Sequence, residues 1–327
     1  MTIQAIVVRR FGGPEVLRVE EVPDPKPGKG QVLVAVKAVG VNPVETYIRS
    51  GLYPRKPQLP YTPGSDAAGL VEAVGKGVTG LKPGDRVFVY AHGTPAGVYA
   101  EKAVVDASRA SRLPKGLSFQ QGAAIGVPYG TAHRALFGRA AAKRGETVLV
   151  HGASGGVGVA AVQLARAAGL TVFGTGGGAD GAAFVKSLGA HLALDHRAAG
   201  YQDELLRLTG GRGFDVIVEM LANVNLPADL AMAAPRGRIV VVGSRGPVEL
   251  DPRTAMMKDL SVLGMALGNL TDTERAAVFA SLLKGFTSAA LAPVAGRSFA
   301  LADAAQAHAA VLAPGARGKI VLLTSNA

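Results

Sequence analysis

The chain has 327 residues, 48% of them hydrophobic and 18% charged, enough for two folded domains of ordinary size. It contains no cysteine, which excludes disulfides, cysteine-ligated zinc, iron–sulfur clusters and thiol nucleophiles. The formal charge is +11, but Lys and Arg are scattered, as on a solvated face, more than gathered into a surface for phosphate or nucleic acid.

No apolar run reaches the ~18–20 residues of a membrane span. Ile3–Val8 is too short for a secretory signal, and its charges follow it, so a cytoplasmic location is expected. Residues 1–120 are rich in strands and turns. The β-branched stretches Thr2–Val8, Val16–Glu21, Gln31–Val41, Ala67–Val74, Arg86–Val89 and Tyr99–Val105 alternate with Pro/Gly turns such as Pro23–Gly30. They predict a compact, barrel-like β domain. Asn42–Gly51 breaks the pattern: Pro43 fits a first helical turn with Asn42 as its cap. Tyr47 on this helix has two readings from spacing alone, a packed ring with a wet hydroxyl or a polar tip on a cleft wall.

From Ser118 the composition shifts to Ala, Gly and Val. Thr147–Thr175 reads as strand, glycine turn, helix, strand. Gly152, Gly155, Gly156 and Gly158 fall within seven residues, and Gly169 sits where a helix ends in a left-handed residue. A bare glycine triplet is weak evidence. A strand before it and an amphipathic helix after it make it a dinucleotide turn, with the pyrophosphate on the helix N-terminus. Ala153 stands at the first glycine position. Gly155 permits close approach of the phosphates, and Gly158 permits close packing of helix on strand.

The alternation continues through helices at Ala179–Leu188, Tyr201–Leu208 and Leu226–Ala234. The strands between and after them are His191–Leu194, Phe214–Glu219, Arg238–Val242 and Leu260–Met265. Six strands with intervening helices imply a doubly wound parallel sheet. Thr271–Glu274 is a capping box opening the helix Glu274–Leu283, Phe299–Leu312 holds another helix, and Lys319–Leu323 is a last strand. This tail is too short for a third domain and is expected to complete the first. The expected division is 1–125 with 267–327 for the first domain, and 126–266 for the inserted nucleotide domain.

The second strand of the βαβ unit ends Phe173-Gly-Thr-Gly-Gly-Gly178, without the acid that holds the ribose 2′-hydroxyl of NAD. This favours NADPH, with His196 and Lys186 as candidate partners of the 2′-phosphate. Six dispersed histidines show no HxH or HxxxH spacing, so no metal site is expected, and His151 reads as a packed or capping residue. No G-x-S-x-G elbow is present. With neither metal nor nucleophile, hydride delivery from the cofactor to an already electrophilic acceptor is the expected chemistry.

Several strings carry a likeness: Phe11-Gly-Gly-Pro-Glu-Val-Leu17, Val41–Gly51, Pro60–Asp66, Pro83–Val87, Gly122–Tyr129, Gly145–Gln163 with Arg166, Glu219-Met-Leu-Ala-Asn-Val-Asn225 and Val240–Gly246. On these the chain resembles, nearly end to end, the zinc-independent quinone oxidoreductases of the medium-chain dehydrogenase/reductase superfamily, zeta-crystallin type. The resemblance implies an α/β fold, a Rossmann doubly wound parallel sheet inserted into a GroES-like β-rich catalytic domain, with a cleft between them. It implies NADPH as cofactor and quinones, ortho-quinones above all, as acceptors. Matching positions imply cofactor contacts at Tyr47, Ser154, Gly155, Gly156, Val157, Gly177, His196, Asn225, Val242, Gly243, Ser244, Arg245, Met265, Ala266 and Leu267. Asn42, Tyr47 and Thr131 are implied as catalytic polar lining, with Tyr47 hydrogen-bonding the reduced oxygen. The lysine that the family often carries near the 2′-phosphate is Ala183 here, with Lys186 three residues later.

The same cleft suits reduction of enones or alkenals. A second class, a crystallin-like protein binding single-stranded RNA, is weakly supported: only 5% of residues are aromatic, and tryptophan is absent. The resemblance implies a homodimer or homotetramer, with Leu260–Met265 as a pairing edge.

Overall fold

The parallel sheet runs through residues whose side chains are apolar on both faces, as strands covered by helices require. A computed structural model describes residues 1–91 and 97–325 and divides into two compact units, 1–127 with 293–327, and 128–292. His92, one of the six histidines, lies outside the described residues.

The second unit holds β1 (Thr147–Val150), α1 (Gly156–Ala167), β2 (Thr171–Gly176), α2 (Gly178–Ser187), β3 (Leu192–Asp195), α3 (Tyr201–Leu208), β4 (Phe214–Glu219), α4 (Ala222–Met232), β5 (Ala233–Val241), α5 (Pro252–Met257) and β6 (Ser261–Gly264). The strand order is β3-β2-β1-β4-β5-β6, every pairing parallel. The order reverses beside β1, so the turns after β1, β2 and β4 share the carboxyl edge where open α/β sheets bind ligands. Leu149, Phe173, Phe214, Ile217 and Ile239 are buried beneath the helices, and Phe173 meets Phe214 edge-on at 5.1 Å. Helix α4 begins four residues earlier than its apolar spacing suggests, with Pro227 inside it.

The first unit is β-rich. Gln31–Gly40 lies at the centre, paired antiparallel with Asp66–Val74, Lys102–Asp106 and Lys319–Leu323. Arg86–Tyr90 and then Ala110–Arg112 extend one side, and Ala295–Ala300 lies beyond the last strand. Thr2–Val7 and Arg18–Pro23 form a separate hairpin-like sheet. Val34, Val36, Val39, Val89, Tyr99 and Leu322 lie in its core.

The sequence places the return to the first unit at 267, whereas the compact units separate at 292/293. Packing explains the difference. Helix Asp272–Thr287 presents Phe286 to Tyr129, 4.9 Å between ring centroids, and Gln163 binds the backbone of Ala292 in both directions. The capping box of that helix is present as read, Thr271 with Glu274. The helix expected within Phe299–Leu312 is only Ala304–Ala310, because Ala295–Ala300 is drawn into the sheet.

Candidate functional site

The β1–α1 turn is built by glycines with separate duties. Gly152 takes φ +55°, so Ala153 beside it keeps an ordinary backbone and is fully buried. A Cβ at Gly158 would lie 2.3 Å from the Gly152 carbonyl and 2.5 Å from the Ala153 Cα, all backbone, so only glycine fits. The turn is tied to β2: Ala153 N–H donates to the Thr175 carbonyl at 2.8 Å, and Gly152 N–H to Thr175 Oγ1 at 3.2 Å. Ser154, Gly155, Gly156 and Val157 are half-buried at the start of α1, whose first N–H groups have no partner within the helix.

At the end of β2, Gly177 faces a cation that spacing did not reveal. A methyl group at Gly177 would come within 3.0 Å of the Arg197 guanidinium, so the guanidinium lies against this glycine. Asp195 receives the backbone N–H groups of Gly178 (2.8 Å) and Arg197 (3.0 Å), which hold its carboxyl below the usual range and fix the turn that carries His196 and Arg197. Burial lowers the His196 imidazole, and the guanidinium beside it adds to that. Lys186 lies elsewhere, in the last turn of α2, roughly 12 Å along the helix axis from Gly178. The cation that lies against Gly177 is Arg197.

The third part of this edge is organised by Glu219, the buried last residue of β4. Its carboxyl accepts from Asn225 Nδ2 at 3.1 and 3.3 Å and from Leu221 N–H. Its carbonyl accepts from Val242 N–H at 2.8 Å and Gly243 N–H at 3.3 Å. Asn223 Oδ1 accepts from Arg245 N–H at 2.8 Å, so the turns after β4 and β5 are stitched together. Ser244 and Arg245 are exposed; Met265 is partly buried, Ala266 exposed and Leu267 buried after β6. Behind Glu219, His151 Nε2 lies 2.8 Å from Asp229 Oδ1 and 3.6 Å from Glu219 Oε2. Ligand atoms of these three lie within 4.8 Å of one another, the one such His/Asp/Glu grouping among the described residues. The direct His151–Asp229 contact is a hydrogen bond, so the histidine is packed and partnered.

In the first unit, helix Pro43–Arg49 follows Asn42 as read. Glu45 accepts from Asn42 N–H at 2.9 Å, the return half of a capping box. The Asn42 amide is fully engaged: Nδ2 donates to Asp66 Oδ2 (3.0 Å) and Glu45 Oε1 (3.1 Å), and Oδ1 accepts from the Lys319 ammonium. Tyr47, half-buried, has a hydroxyl with no hydrogen bond to any described residue. Thr131 is buried on helix Gly126–His133 and belongs to the second unit.

Residues 28–115, in the first unit, match the family described as alcohol dehydrogenase GroES-like domain, and residues 156–283, in the second, match zinc-binding dehydrogenase. A human quinone oxidoreductase is 49% identical over 323 residues, 98% of each chain. A solved NAD-dependent alcohol dehydrogenase superposes with TM-score 0.89 at 32% identity, covering 98% of this chain and 99% of its own. A mycobacterial protein solved with NADPH gives 0.88 at 35% identity over the same shares. No described helix is long and apolar enough to cross a membrane. The chain is an oxidoreductase and belongs to the quinone oxidoreductase family, zeta-crystallin type, of the medium-chain dehydrogenase/reductase superfamily.

Proposed function

We propose that this enzyme reduces quinones with NADPH, without metal or flavin, ortho-quinones being the favoured acceptors. The observation that carries the cofactor choice is the end of β2. No acid is among the residues that end β2, the Asp195 carboxyl nearby is held by the Gly178 and Arg197 N–H groups, and the Arg197 guanidinium lies against Gly177. A carboxylate at this point would accept from a ribose hydroxyl; a guanidinium beside small residues suits a phosphate. The unpartnered N–H groups at the start of α1 suit the pyrophosphate, and Gly155 leaves room for it. NADPH, when bound, supplies the hydride. A relative named quinone oxidoreductase and a solved NADPH complex support the same reading.

Tyr47, Asn42 and Thr131 are proposed as the catalytic polar lining. Tyr47 donates its free hydroxyl to the quinone oxygen that gains charge as the ring is reduced. Asn42 acts through the helix it holds, because its own amide is fully engaged. Zinc has no place in this reading: the residues around Asn42 are closed on an ammonium, and those around His151 on one another. The β6 edge, where Val262 is exposed, is the proposed pairing surface of a homodimer or homotetramer.

The test is oxidation of NADPH and NADH against ortho-quinones, para-quinones and 2-alkenals. NADPH is expected to be preferred at least ~10-fold in kcat/KM, with ortho-quinones fastest. Arg197→Ala should remove most of that preference, roughly 10–100-fold, the worth of a charge-assisted hydrogen bond. Equal efficiency of the two cofactors refutes the phosphate site, and faster turnover of 2-alkenals refutes the acceptor. In the same assay Tyr47→Phe should lower kcat on the quinone; an unchanged kcat removes the hydroxyl from the reaction.

A further inference from the structure

The His151, Glu219 and Asp229 side chains have no counterion among them, and the proposed hydride transfer does not use them. All three are buried, at 3%, 0% and 0% exposure. Carboxyl oxygens of Glu219 and Asp229 lie within 4.8 Å of each other around His151 Nε2, and Asp229 Oδ2 has no donor among the described residues. Two charged carboxylates this close in a buried site repel each other, and a proton on one of them relieves that and gives it a hydrogen to donate. Burial pushes both carboxyls up to about 7 and holds the His151 imidazole down, in the neutral form. The other titratable groups acting on the cluster are Tyr201, on α3, which feels both carboxyls, and His196, after β3, which feels His151. Neither places a full positive charge in it.

The cluster stands directly behind the residues proposed to touch the dinucleotide. The side chain of Glu219 holds Asn225 and the Leu221 N–H, and its carbonyl holds Val242 and Gly243. His151 immediately precedes the glycine turn and donates its N–H to the Val218 carbonyl at 3.1 Å. We propose that Glu219 is a positioning residue for the dinucleotide: the proton it shares with Asp229 fixes Asn225 and the β4–α4 turn, so affinity follows the charge of the buried cluster. With the proton present, Glu219 donates to Asp229 through one oxygen and accepts from Leu221 and Asn225 through the other. Loss of the proton sets two buried carboxylates against each other and loosens the turn.

This proposal rests on the dinucleotide reading, but not on the preference for NADPH. The experiment measures the dissociation constants of NADPH and NADH from pH 6 to 9 by the fluorescence of the reduced nicotinamide. It uses the full-length wild type, Glu219→Gln and Glu219→Ala. In the wild type, affinity is expected to be level below about pH 7 and to weaken by up to tenfold per pH unit above it. Glu219→Ala should bind roughly 10–100-fold more weakly. Glu219→Gln, whose amide donates to Asp229 while its oxygen accepts, should rescue most of that loss and show a flat profile. The infrared difference spectrum of the ligand-free protein between pH 6 and 9 should show a protonated carboxyl that Glu219→Gln lacks. Superimposable pH profiles for wild type and Glu219→Gln overturn the coupling. Failure of both dinucleotides to bind at every pH, with the carboxyl band present, overturns the cofactor reading itself.

Discussion

Each unit buries one cluster of ionisable side chains, and the two are neutralised by different means. In the first, Lys319 brings an ammonium to Asp66 Oδ2 at 3.0 Å with both groups almost wholly buried. Val127 N–H donates to the other Asp66 oxygen at 2.8 Å. Glu45 next to them accepts from Asn42 N–H, Asn42 Nδ2, Ser65 N–H and the Tyr99 hydroxyl. Every oxygen has a donor and the ion pair is complete, so the network is a rigid frame for the Asn42 helix. In the second unit the carboxyls of Glu219 and Asp229 face a neutral imidazole and lack a cation. Only a proton compensates them. The first cluster holds a cation in contact with its carboxyls, whereas the second holds none and has only a proton to offset its charge.

The contrast can be broken most severely at Lys319. Lys319→Met leaves Asp66 buried without its cation and is expected to cost about 3–5 kcal/mol, read as a lower urea midpoint. Far-UV circular dichroism is the probe, since the chain has no tryptophan. An unchanged midpoint would show that the ammonium is dispensable and would remove the distinction between the clusters.

Next in size is the pH dependence of the second cluster. The Glu219 carboxyl is raised from 4.5 to about 7 in the folded chain. A group raised on folding adds stability below its unfolded value and loses it as pH climbs to the folded one. Wild type should therefore lose about 3 kcal/mol relative to Glu219→Gln between pH 4.5 and 7. Parallel stability curves for the two proteins would deny the shared proton.

The smallest effect belongs to His308, in the first unit, whose Nε2 meets the Tyr99 hydroxyl at 3.1 Å. Burial presses its imidazole down to about 3, so the unfolded chain takes up the proton first as pH falls. Wild type should lose about 2 kcal/mol relative to His308→Gln from pH 6.5 to 5, measured by the same unfolding assay. His308 and Glu219 thus destabilise the fold in opposite directions of pH, and a common direction would refute that.

Local pattern made the architecture legible. Period and turn chemistry located the glycine turn, the six parallel strands and the box at Thr271. Strand Ala295–Ala300 was hidden because AGRSFA lacks β-branched residues, and its partner strand, not propensity, makes it extended. At the site, adjacency across the sheet was the obstacle. Arg197 reaches Gly177 because β3 lies beside β2, a pairing of segments some twenty residues apart. Lys186 lies on the helix that follows, eight residues on from Gly178, so its place along the axis can be read from helix rise alone. The engagement of Asn42 by Lys319 spans 277 positions and leaves no local mark. Glu219 was visible as the end of a strand and the first residue of a shared string; its burial and the side chains the fold brings to it leave no local mark.

The position of Lys319 also orders events during synthesis. Its strand, Lys319–Leu323, lies against Gln31–Gly40 and leaves the ribosome after all of residues 128–292. Until it emerges, Asp66 has no cation and the central strand of the first unit has an open edge. Residues 128–292 are complete by then and close their own sheet first. The network around Asn42 is therefore closed only after residues 128–292 have been made, so the second unit can fold while the first still lacks its Lys319 strand.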